Sequence, residues 1–125
     1  MKLVITLPGL PKMANGGHGH WRKDWAEKKL WQDLMALQLK KHAPPAPFKK
    51  IKVKFIRFSS SEPDYDGLVH GFKPIRDSLK RLGFVIDDKT RNIEALYLWD
   101  KAPPKKGYIQ LEIELPDIHS SDMTL

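Results

Sequence analysis

The chain contains no cysteine. That removes disulfide frameworks, zinc–cysteine sites and thiol catalysis from consideration, and it is compatible with a reducing cytoplasm. Long apolar runs are also missing. Nothing approaches the ~18 residues that span a bilayer, and Leu3-Val4-Ile5-Thr6-Leu7 ahead of Pro8 is too short for a secretory signal. The expectation is a soluble cytoplasmic protein with no membrane partner. The Gly- and Pro-rich stretch 8–19 lacks the Gly-Lys-Ser/Thr ending of a phosphate-binding loop, so no nucleotide cofactor is expected there. Negative charge is scarce: 15 Asp+Glu stand against 22 Lys+Arg, a net charge of +7. Such a balance fits either a polyanionic partner or a well-solvated basic surface. With 125 residues, 41% of them hydrophobic, the chain has the material for one domain with a modest core. That domain is expected over 1–115, with 116–125 as a polar, flexible tail.

The patterning predicts β-α-β-α-β-β order. Leu3 to Leu7 reads as a first strand. A loop follows, with Asn15-Gly16-Gly17 as a turn signal. From His20 to His42 the spacing of Trp21, Trp25, Leu30, Trp31, Leu34, Met35 and Leu37 predicts a helix, ended by Pro44, Pro45 and Pro47. Its tryptophans are assigned to core or dimer interface, with base stacking as the alternative. Ile51, Val53 and Phe55 alternate with Lys50, Lys52 and Lys54 in a second strand, apolar on one face and cationic on the other. The lysine row is either a solubilising face that discourages edge pairing or a stripe that follows phosphates. Leu68, Phe72, Ile75, Leu79 and Leu82 form a second helical stripe. Pro74 predicts a kink in it, or an irregular entry that becomes regular helix from Pro74, and Gly83 is a plausible cap. Strands follow over Ile93–Trp99 and Ile109–Leu115, with a turn at Ala102–Gly107 between them. The fold class is α+β, a mixed α/β sandwich of about four strands with two main helices on the sheet.

Two acidic clusters stand out in this basic chain: Asp64-Tyr65-Asp66-Gly67, and Asp87-Asp88 one helix later. In an extended backbone, residues i and i+2 share a side. Asp64 and Asp66 are therefore expected to aim at one point, with Tyr65 turned away and a turn at Gly67. If the helix packs back on the sheet, Asp87 and Asp88 return to the same place. Converging carboxylates repel unless a cation sits among them, and carboxylate clusters favour hard divalent ions. A metal so held lowers the pKa of an attacking water and neutralises charge at a phosphodiester. Lys73, between the clusters in sequence, is read as a phosphate contact or as a solvated lysine.

Competing readings are weighed against this. An EF-hand loop starting at Glu62 would need Glu at its twelfth position, which is Lys73 here, so it is rejected. Asp64 and Asp66 stand too close in sequence to flank a glycosidic bond, although a pairing with Asp88 stays open. Pro, Asp, Gly and Ser also form ordinary turns. His18 and His20 lack a third ligand beside them, so a structural zinc site is not expected.

The ordered set Asp64-Tyr65-Asp66-Gly67-Leu68, Lys73, Asp77-Ser78-Leu79 and Gly83-Phe84-Val85-Ile86-Asp87-Asp88 resembles the RusA family of Holliday-junction resolvases, common in prophages. The resemblance runs over most of the chain, from Ile5-Thr6-Leu7-Pro8 to the last strand. It implies Asp64, Asp66 and Asp88 as catalytic metal-binding residues, with Asp87 beside them as a further candidate ligand. Lys73 would be the active-site lysine. It implies Mg²⁺, for which Mn²⁺ can substitute, and a homodimer that makes paired nicks in four-way DNA junctions during recombination and repair in a bacterial or phage-infected cell. Two-fold junctions and two-fold dimers match in symmetry. Lys50, Lys52, Lys54, Arg76, Lys80 and Lys89 are the residues expected to meet DNA. Gly67 stands where the family usually has Asn, and the segment from Asp66 to Lys73 is longer than in some members. These departures motivate an alternative: a non-catalytic or weakly active branched-DNA-binding protein of the same fold. A structural protein with no DNA partner is a third reading.

Overall fold

The computed structural model describes residues 1–12 and 21–116, with backbone alone at 21–24. The turn at Asn15–Gly17, the histidines 18 and 20, the side chain of Trp21 and the tail beyond 116 lie outside the described residues. The elements are β1 (Lys2–Pro8), α1 (Trp21–Leu39) with a 3₁₀ turn at Lys40–His42, β2 (Ile51–Ser59), α2 (Tyr65–Gly71), α3 (Lys73–Arg81), β3 (Ile93–Lys101) and β4 (Tyr108–Glu114).

The strands form one mixed sheet in the order β1-β4-β2-β3. β4 runs antiparallel to both β1 and β2, while β2 and β3 are parallel. Parallel neighbours need a crossover, and α2 with α3 supplies it. The expected α+β class and element order are those of the structure. β2 and β3 extend further than the alternation predicted, to Ser59 and Lys101.

Period-two alternation sorts each strand into two faces. Leu3, Ile5, Leu7, Ile51, Val53, Phe55, Ile109, Leu111 and Ile113 are buried on one face. Against them pack Trp31, Met35 and Leu39 of α1 and Leu68, Phe72, Ile75 and Leu79 of the crossover. Trp31 is thus a core residue, whereas Trp25 is 61% exposed. The opposite face carries ion pairs. Lys2 meets Glu112 at 2.7 Å, and Lys50 and Lys52 each approach Glu94 at 3.8 Å. No helix among the described residues is long and apolar enough to cross a membrane.

The crossover helix breaks where the proline predicted. Pro74 disfavours a helical residue before it and has no amide to donate, and Phe72 serves as the cap of both α2 and α3. The kink is therefore real, but the stretch before it is helix rather than an irregular entry. At the far end, Gly83 takes φ 84°. Its amide donates to the Lys80 carbonyl at 3.0 Å, and the Phe84 amide to that of Leu79 at 3.0 Å. This is a Schellman motif, with Phe84 and Leu79 both fully buried.

Candidate acidic site

The Gly83 cap turns the chain back toward the sheet. Phe84 and Val85 then lie along Phe48: the Phe48 amide donates to the Phe84 carbonyl at 3.1 Å and the Ile86 amide to that of Phe48 at 3.0 Å. The chain emerges at Asp87 and Asp88, alongside α3. There Asp88 meets Asp77, a residue that sequence reasoning placed in a motif but gave no role. The two carboxyl groups lie close enough to act on each other's protonation. Burial, then the neighbouring Asp88 carboxyl and its charge, push Asp77 up to about 6, against the opposing charges of Arg76 and Lys73. Asp77 Oδ1 is buried and has no hydrogen-bond partner. Its position is legible after the fact: Asp77 lies between Ile75 and the buried pair Ser78 and Leu79, on the margin of the apolar stripe, where a carboxylate is partly desolvated.

Asp87 takes a different course. Its Oδ1 accepts the Asp88 amide at 2.8 Å, and its carboxylate lies 3.3 Å from Lys80 Nζ and 3.8 Å from Lys89 Nζ. The Asp88 amide and Lys80 hold it below the usual aspartate value.

The first acidic cluster is not extended, which corrects the i, i+2 reading of Asp64 and Asp66. Asp64 is the N-cap of α2, and its Oδ1 accepts the Gly67 amide at 2.9 Å. An aspartate before a helix supplies an acceptor that an otherwise unpaired first-turn amide lacks, and this outweighs the turn signal of Gly67. Gly67 is accordingly a buried helical residue, and Asp66 sits in the first turn. Tyr65 meets Tyr97 of β3 edge-on at 6.5 Å between ring centroids. The Tyr97 hydroxyl accepts Arg76 Nη1 of α3 at 2.8 Å, and its ring stacks on Phe55 at 5.0 Å. Tyr97 thus ties the start of α2 to α3 and the sheet, a role no sequence signal announced.

The structure brings Asp88, Asp77 and the charge of Lys73 together, and sets Asp87 between two lysines. It does not gather four carboxylates: among the described residues no three His, Asp or Glu side chains converge as a metal-binding group. The cationic residues divide. Arg76, Lys80 and Lys89 lie on the acidic side, whereas Lys52 and Lys54 project from the sheet face away from the helices. Lys50 and Lys52 face Glu94 there. The lysine row therefore lies on the sheet face opposite the helices and carries ion pairs to Glu94.

In comparisons with known proteins, no family model and no curated protein matches this chain.

Proposed function

We propose that this chain is a Mg²⁺-dependent endodeoxyribonuclease that cuts branched DNA, similar to RusA resolvases, and that it acts on four-way junctions as a homodimer. The observation that carries this reading is the Asp77–Asp88 pair. Two carboxyl groups held in contact, one oxygen buried and unpartnered, with Lys73 acting on the same charge, form a site whose repulsion a divalent cation would relieve. Carboxylate oxygens suit a hard ion such as Mg²⁺. Asp88 and Asp77 would hold it, and water or substrate oxygens would complete its shell, since among the described residues no third carboxylate joins the pair. When bound, the ion lowers the pKa of an attacking water and neutralises phosphate charge. The residues of the chain do the rest. Lys73 contributes positive charge at the phosphate. The Asp88 amide and Lys80 keep Asp87 ionised, with Lys89 beside it. Arg76 and Tyr97 hold α3 in place over the sheet. Such an enzyme belongs in the cytoplasm of a bacterial or phage-infected cell.

One observation favours a second reading, a branched-DNA-binding protein without chemistry: an Asp64 oxygen is already committed to the Gly67 amide. A labelled four-way junction, incubated with and without Mg²⁺, separates the two. The nuclease reading expects symmetric nicks with the ion, none in EDTA, and none from Asp88→Asn although that variant still retains the junction. Undiminished cleavage by Asp88→Asn would refute the assignment, and binding without any cleavage selects the second reading.

A further inference from the structure

The burial pattern of β2 demands apolar residues at 51, 53, 55 and 57, and the first three are Ile, Val and Phe. The fourth is Arg57, only 8% exposed. It lies in register between Trp99 of β3 and Ile109 of β4. Nη1 donates to the Pro11 carbonyl at 2.9 Å. Nε is buried with no partner, and the guanidinium has no ion pair among the described residues. Desolvation lowers its pKa, yet a guanidinium remains protonated at any working pH. A buried cation without a counter-charge is strongly unfavourable, so a free anion should be drawn to it. The neighbouring hydroxyl does not fill that role, since Ser59 Oγ donates to the Ser61 carbonyl at 2.8 Å and accepts Trp99 Nε1 at 2.9 Å. Those two bonds fix the loop that follows β2 and leads to Asp64.

We propose that Arg57 is the base of a phosphate-binding site at the C-terminal end of β2. Its unpaired Nε edge is the half of the guanidinium fork that pairs with two oxyanion oxygens. The ligand is a phosphate group, either a phosphodiester of DNA or free phosphate. The site stands apart from the nuclease reading, and only its use on DNA rests on that reading.

The test follows the Arg Nε–H resonances of the ¹⁵N-labelled full chain during titration with inorganic phosphate, with chloride and acetate at matched ionic strength. The resonance absent from Arg57→Lys should shift saturably with phosphate alone. If that variant fails to fold, through-bond assignment of the wild type identifies the same signal. No saturable shift, or an equal shift with acetate, overturns the proposal. Salt-dependent binding of a four-way junction then identifies the source. A log–log slope shallower by about 0.9 in Arg57→Gln assigns the site to one DNA phosphate, while an unchanged slope beside an intact phosphate titration assigns it to free phosphate. A chain that binds no DNA but passes the phosphate titration would lose the nuclease reading and keep this site.

Discussion

Replacing Asp77 by Asn tests the acidic pair without any assumption about metal or DNA. In the folded chain Asp77 titrates at about 6, against 3.8 for an unperturbed aspartate. The native state thus binds this proton more tightly than the unfolded state does. Its stabilising effect is complete below pH 3.8 and is lost as pH rises through about 6. A difference of about two pH units, at about 1.36 kcal/mol each, sets a ceiling of about 3 kcal/mol. Asp77 is only partly buried, and solvent screening reduces that to roughly 1 kcal/mol. Asparagine does not titrate and keeps a donor for Asp88. Asp77→Asn should therefore match the wild type near pH 4 and exceed it by roughly 1 kcal/mol at pH 8. Urea unfolding in EDTA, followed by far-ultraviolet circular dichroism at both values, measures the gap. Parallel stability curves for the two proteins across that range would show that the Asp77 carboxyl is neither desolvated nor opposed by Asp88, and would refute this account of the site. Under the proposed function, Mg²⁺ should stabilise the wild type at pH 8 more than the variant, because a ligand of the folded state adds to its stability.

Two further outcomes follow from local geometry. Asp64→Ala should lose about 1 kcal/mol through the missing helix cap, while Asp64→Asn, which still accepts the Gly67 amide, should unfold at nearly the wild-type urea midpoint; if Asp64→Asn also abolishes junction cleavage, the charge acts in chemistry and not in folding. Gly83→Ala should cost about 1–2 kcal/mol although an added Cβ meets nothing within 4 Å, because the penalty lies in the backbone at φ 84°; an unchanged urea midpoint would contradict the Schellman assignment.

Much of the architecture is written locally. Alternation at 51–55 marked a strand and its two faces, because successive side chains of an extended chain point opposite ways. Pro74 and Gly83 marked where the crossover kinks and where it stops, since each restricts or relaxes its own backbone. The aspartates at 64 and 66 were misread for a reason equally local. Two short-range rules competed there, side-sharing in an extended segment and capping of a helix, and the one that satisfies a backbone donor won.

Residue order and spacing determined the strand and helix content, a kink at Pro74 and the presence of two acidic clusters in a basic chain. Tertiary structure alone decided which partners those clusters have. The insertion of β4 between β1 and β2, the return of Val85 beside Phe48, the contact of Asp88 with Asp77 and the isolation of Arg57 join residues far apart in the chain. Propensity acts over a few neighbouring residues, whereas a carboxylate's charge state and an arginine's lack of a counter-ion depend on everything packed around them.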